Sequence, residues 1–290
     1  MLKDRSQHPY FNKKGALATM HGKESVIAPC FEKTLQLSLQ VPPDINTDEL
    51  GTFSGEIERK GTPIETVRQK VKMGMELLGS PLGIGNEGSF GPAVHFPLLS
   101  EDHEILLWID QERGIEVVEQ VFSTETNFDS ITVKRWDTNL EFFLSKVRFP
   151  SHALILKPNK HQDKGIIFKG VNDVEECKEA LSSCAAVSED GMVQVATDMR
   201  ANRNPTRMRV IGEVAEKMAQ RLASLCPKCA CPGWGVVDVI RGLPCEGCGL
   251  RTNWVANEVF GCPSCPKKEI VPRSDGKQKV SQSQCPYCNP

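Results

Sequence analysis

The sequence predicts an α/β protein: a mixed-sheet N-terminal domain with flanking helices, followed by a small zinc-ribbon tail. Three observations predict it. Strand-like and helix-like segments alternate through the first 220 residues. Of the 12 cysteines, Cys30, Cys177 and Cys184 lie in the first 225 residues and the other nine in the last 65. With 39% hydrophobic and 25% charged side chains over 290 residues, the chain has apolar material for one sizeable core and a second unit. The expected division is 1–220 and 221–290.

In chain order, short apolar runs bounded by turn residues read as strands at 15–20, 35–42, 103–110, 115–123, 152–158 and 192–199. Helical stretches are expected at 62–79, 138–147, 173–184 and 205–224. The first of these opens with Thr62 as cap, Pro63 in the first turn and Glu65 three positions on, a capping box, and stops at Gly79. The last is expected to start at an Asn204 cap followed by Pro205. The stretch 159–165 reads as an exposed loop dividing the region into lobes.

In the tail, eight cysteines form four C-x-x-C pairs: Cys226 and Cys229, Cys245 and Cys248, Cys262 and Cys265, Cys285 and Cys288. Two residues between thiolates let one tight turn aim both sulfurs at one ion. The gaps of 15 residues from Cys229 to Cys245 and 19 from Cys265 to Cys285 fit two four-thiolate sites. Two structural Zn2+ ions are expected, paired sequentially, with an interleaved arrangement, first pair joining third, as the alternative. The segments around 234–245 and 252–262 read as short hairpin strands, too small to fold without metal. Cys231 is the spare thiol, expected to be a buried small residue. Four thiolates close the shell and leave no position for substrate.

Three loops concentrate chemistry. After the opening strand comes Thr19-Met20-His21-Gly22-Lys23, a glycine turn whose lysine suits a phosphate. The second group joins residues 48–59 to a glycine-rich loop at 83–92; Glu56, Glu58 and Glu87 are expected to hold a divalent ion, Mg2+, and activate water, with Arg59 beside them. The third, 197–209, brings Asp198, Arg200 and Arg207 to a helix start, an anion site with Asp198 orienting an arginine or binding metal. Catalysis is assigned to Glu56, Glu58, Glu87 and Asp198, with Asp110 as a further acid, and phosphate binding to Lys23, Arg59, Arg200 and Arg207.

A net charge of −2 excludes a whole-molecule field for nucleic acid or anionic lipid. The first residues lack the apolar stretch of a secretory signal, and no window approaches a membrane span, so a soluble cytoplasmic protein without a membrane partner is expected. The segments LGTFSGEIER, EGSFGP, TDMRANRNPTRM, GLPCEGCG and CPYCNP resemble an uncharacterised bacterial family, domain of unknown function 6671, over nearly the whole chain. That resemblance implies no activity. The layout of the first half, a strand ending in a polar turn with Lys23, a helix carrying Glu65, Arg68 and Lys70, and a glycine-rich acidic stretch, is similar to the noncanonical purine nucleoside-triphosphate pyrophosphatases. This implies a lysine on phosphate and carboxylates on magnesium. Two functions follow: a metal-dependent hydrolase of a nucleotide or other phosphate-bearing small molecule, or a non-catalytic zinc-ribbon module binding nucleic acid or a protein partner.

Overall fold

A computed structural model describes residues 5–51, 59–93, 97–160 and 166–290. The first sheet contains β1 (Lys14–Ala18), β2 (Ser38–Gln40), β3 (Leu82–Pro92), β4 (Ser100–Asp110) and β5 (Ile115–Ser123) in the order β2-β1-β3-β4-β5. The first three strands are parallel, and β4 and β5 are added antiparallel. The helix α1 (Glu24–Leu35) links β1 to β2, and α2 (Pro63–Leu78) links β2 to β3.

Side chains alternate across the pleat, so each strand feeds two cores. On one face Leu17, Ile84, Leu106 and Trp108 pack against Ile27 and Phe31 of α1 and against Val210, Val214 and Met218 of α5 (Pro205–Ala223). On the other, Ala16, Ile105, Leu107 and Ile109 pack on Val67, Val71 and Met75 of α2. The helix α2 has the expected ends: Thr62 and Glu65 form the reciprocal capping box, and Gly79 closes it in the left-handed region at φ 58°.

The sequence read 83–92 as a loop; it is the central strand β3. The glycines serve packing rather than a turn. A Cβ at Gly83 would lie 2.3 Å from Met75 Cγ, and one at Gly85 2.8 Å from Val71 Cγ2, so bare backbone is what lets α2 sit close to the sheet.

The second sheet is antiparallel, ordered β6-β9-β7-β8, from β6 (Ser130–Val133), β7 (Leu154–Pro158), β8 (Phe168–Val171) and β9 (Val193–Thr197). With α3 (Thr138–Lys146) and α4 (Val174–Val187) it buries its own core around Leu140, Phe143, Leu154, Leu181 and Val195. The chain returns from β9 to the first sheet through residues 198–204 and α5. The Asn204 side chain caps α5 by accepting from the Arg207 N–H and donates to Asn127 Oδ1. Thr206, in the first turn, meets His152 and Arg148. The α5 start is thereby fastened to the segments that lead into β6 and β7.

The tail is a three-stranded antiparallel ribbon of β10 (Gly235–Arg241), β11 (Val255–Gly261) and β12 (Lys268–Pro272). Among the described residues, no helix is long and apolar enough to cross a membrane.

Candidate functional site

The tail holds two groups of four cysteines, and they interleave: Cys226, Cys229, Cys262 and Cys265 form one, Cys245, Cys248, Cys285 and Cys288 the other. The expected sequential pairing is therefore wrong. The cause is strand pairing. Gly235 at the start of β10 lies opposite Gly261 at the end of β11, so the knuckle before β10 meets the knuckle after β11. The strand β12 then carries the chain back to the far end, where the fourth knuckle meets the second.

The shortest sulfur contacts are 3.5 Å for Cys229 to Cys265 and 3.8 Å for Cys248 to Cys285, and all four sulfurs of each group lie within 4.8 Å of one another. A tetrahedron of thiolates with metal–sulfur bonds near 2.3 Å has sulfurs about 3.8 Å apart, whereas a disulfide needs about 2.05 Å. Both groups fit one four-coordinate ion. The knuckle amides of Lys228, Gly247 and Ser264 donate to Cys226, Cys245 and Cys262. Such donors favour thiolate: the Cys248 amide is the largest influence pulling the Cys245 thiol down to about 7. Cys231 belongs to neither group; it is buried and donates to the Pro232 carbonyl.

The second site lies where β1 ends. The chain leaves β1 toward β2 but leaves its neighbour β3 toward β4, so connections diverge and open a crevice. A cavity of about 80 Å3 sits there, walled by the 19–23 turn, by Asp48 and Arg59, by Lys70 of α2 and by Asn86 and Glu87 of β3. Lys23 is buried, with its ammonium 3.4 Å from the Asn86 carbonyl. Burial, and then the positive charge of Arg207, draw its pKa down to about 7. Thr19 Oγ1 is buried in the same wall and has no hydrogen-bond partner among the described residues. Glu87 is clamped by Lys70 at 2.7 Å and Arg59 at 3.5 Å. His21 faces Asp48 at 3.2 Å, and burial lowers its pKa.

Behind the cavity is a buried charge network. Arg207 places its Nε 2.7 Å from Glu104, and neither side chain is exposed. Gly88 makes room: a Cβ there would lie 2.4 Å from Arg207 Nη2. Asn86 donates to Glu104 at 2.8 Å. Burial, the largest single influence, pushes the Glu104 carboxyl up, but Arg207, Lys23 and the Asn86 hydrogen bond together outweigh it and the pKa is lowered. Neighbouring Asp102 has the opposite fate: burial, then the Glu104 charge, raise it to about 8.

The structure thus gathers Lys23, Arg59 and Glu87 around one cavity. Arg200 stands close enough to contribute its charge to His21, and its loop meets the turn where a Cβ on Gly22 would be 3.6 Å from Asn202. Asp198 orients Arg200 through a two-pronged contact, 3.0 Å and 2.6 Å, one of its two expected roles. Arg207 lies beneath the cavity rather than in its wall. Asp110 is at the opposite end of β4, held by Tyr10 and Arg113. Glu56 and Glu58 lie outside the described residues.

Sequence reasoning noted Lys70 only in the layout of the helix and gave no site role to it, to Asp102 or to Glu104. Signals existed: Lys70 falls on the buried stripe of α2 with Val67, Val71 and Gly74, and Asp102 and Glu104 share the β4 face that continues as Leu106 and Trp108. The family described as "Domain of unknown function (DUF6671)" matches residues 70–290. That span includes Glu87, Asp198, Arg207 and all eight paired cysteines, and begins after Lys23 and Arg59. A comparison with curated proteins gives no match.

Proposed function

The chain belongs to the family called domain of unknown function 6671, whose description names no reaction, and we propose from the site itself that it binds and hydrolyses a nucleotide or other phosphate-bearing small molecule at the end of β1, with two structural zinc ions in the tail. One observation carries the reading: a buried lysine and a threonine hydroxyl without a partner among the described residues face a small cavity at the diverging ends of parallel strands, beside the amino end of α1. Such crevices suit anions because backbone amides and helix dipole add to the side-chain charge. Lys23 and Arg59 would bind phosphate oxygens, and Glu87, by holding Lys70 and Arg59, would fix the positive wall. Arg200, oriented by Asp198, would meet the part of the ligand that projects from the cavity. Mg2+ belongs to this reading through the expected ligands Glu56 and Glu58; it would offset phosphoryl charge while water attacks.

Zinc is favoured in both tail sites by four thiolates at tetrahedral spacing. Elemental analysis of purified protein should give two zinc atoms per chain; fewer than one would contradict it. A panel of nucleotides and simpler phosphate esters with Mg2+, scored for binding by calorimetry and for release of phosphate or pyrophosphate, tests the rest. Lys23→Met and Glu87→Gln should each lower turnover at least tenfold. Native protein that binds none of the panel and releases nothing would refute the reading.

A second reading, a binding module in the tail, is favoured by exposed Leu250, Trp254 and Tyr287 around the second knuckle, with Lys277 over the Trp254 ring at 5.8 Å. Such aromatics stack unpaired bases. Quenching of Trp254 fluorescence by single-stranded oligonucleotides, lost in Tyr287→Ala, would support it.

A further inference from the structure

Among the described residues, the cavity after β1 is over-supplied with positive charge. Around the Lys23 ammonium stand Arg207 of α5, Lys70 of α2 and, on the outer wall, Arg59. The ionised carboxylates facing them are already engaged: Glu87 by Lys70 and Arg59, Glu104 by Arg207 and Asn86. Asp102 of β4 adds little charge near neutrality, since its carboxyl is pushed up to about 8. Asp48 is turned to His21 at the mouth, its side chain 37% exposed, where water screens it. Among the described residues, and leaving aside the screened Asp48, the wall cations Lys23, Arg59 and Lys70 with Arg207 beneath them face two carboxylates, Glu87 and Glu104, an excess of two once Lys23 is protonated. The buried hydroxyl of Thr19, without a partner among the described residues, adds a donor aimed at whatever fills the space.

We infer that this subsite takes a fully ionised terminal phosphate, a dianion, rather than the singly charged internal phosphate of a diester, and that Lys23 gains a proton as the anion enters. The inference rests on the phosphate-binding reading above. The donors are concentrated in one place: Lys23, Lys70, Arg59 and Thr19 all line a single cavity of about 80 Å3. Without an anion, desolvation and the neighbouring cations disfavour the ammonium; a dianion cancels the local excess and restores it.

Sulfate stays doubly charged between pH 6 and 9, so calorimetric titration of the whole protein with sulfate isolates the protein's own protonation. Affinity should fall about 50-fold from pH 7 to pH 9, as uptake of one proton by a group near 7 requires, and the heat should vary with the ionisation enthalpy of the buffer. His21 is already neutral in that range, its pKa being lowered. Asp102 does titrate there, and Asp102→Asn should keep most of the slope. Lys23→Arg, which cannot lose its charge, should still bind sulfate but lose the slope; Lys23→Met should bind at least tenfold more weakly at pH 7. Dimethyl phosphate, a monoanionic diester, should bind at least tenfold more weakly than sulfate. Equal sulfate affinity at pH 7 and 9, a full slope in Lys23→Arg, or dimethyl phosphate as tight as sulfate would overturn the inference while leaving the phosphate reading standing. No binding of sulfate or of any nucleotide would remove both.

Discussion

Replacing Cys226 and Cys229 together with serine discriminates the two wirings of the tail. In the interleaved arrangement the orphaned partners are Cys262 and Cys265; in a sequential one they would be Cys245 and Cys248. A structural zinc contributes about 10–16 kcal/mol of apparent binding free energy, so losing two of four equivalent thiolates removes about 5–8 kcal/mol. At about 1.4 kcal/mol per tenfold, that is roughly four to six powers of ten in affinity, enough to empty the site at micromolar metal. Metal content should therefore fall from two ions per chain to one. Alkylation of the native variant followed by peptide mapping should label Cys262 and Cys265, and also Cys231, which shares their apolar cluster with Ile115 and Trp234. Cys245, Cys248, Cys285 and Cys288 should stay protected. Labelling of Cys245 and Cys248 with Cys262 and Cys265 untouched would refute the argument from strand pairing.

Three further outcomes follow from the buried parts of the first sheet. Glu104→Ala leaves the fully buried Arg207 guanidinium without its carboxylate and should cost about 3–5 kcal/mol in urea unfolding, much of it recovered when Arg207→Met is added. Asp102 has a native pKa of about 8 against a reference of 3.8, so between those values the native state holds a proton the unfolded chain has lost; stability should fall as pH rises from about 4 to 8, and Asp102→Asn should flatten that decline. Gly85→Ala puts a Cβ 2.8 Å from Val71 Cγ2 and should destabilise by about 1–3 kcal/mol, with relief from Val71→Ala.

What the chain declares in advance is what local chemistry controls. The box at Thr62 and the Asn204 cap are written within four residues each, and both form as expected. The knuckle spacing likewise marks eight ligands. Their wiring was not legible, because it depends on the antiparallel register of β10 and β11, a contact between residues far apart in sequence. The strand β3 was misread because its glycines respond to α2 and Arg207, neighbours that only the folded topology supplies. The helix α1 escaped notice for a different reason: Lys23 caps it without a side-chain bond, and Pro29 sits inside it. The cavity was half visible. Lys23, Arg59 and Glu87 stood out as polar residues among glycines, but the network behind them is spread over β3, β4, α2 and α5 and shows no compact motif.

The helix α5 touches both halves of this chemistry. Arg207 in its first turn lies under the cavity, while Arg221 in its last turn reaches the carbonyls of Gly233 and Val118. Nineteen residues at 1.5 Å each make a rod of about 28 Å. At its far end Gly233 lies so near Val117 that an added Cβ would be 2.8 Å from Val117 Cγ2, and the first cysteine cluster rests on Ile115. Metal bound there would thus prop the outer margin of the sheet whose middle carries the cavity after β1. Stripping that ion would bare Ile115 and Val117 and loosen one end of a beam whose other end carries the Arg207–Glu104 pair.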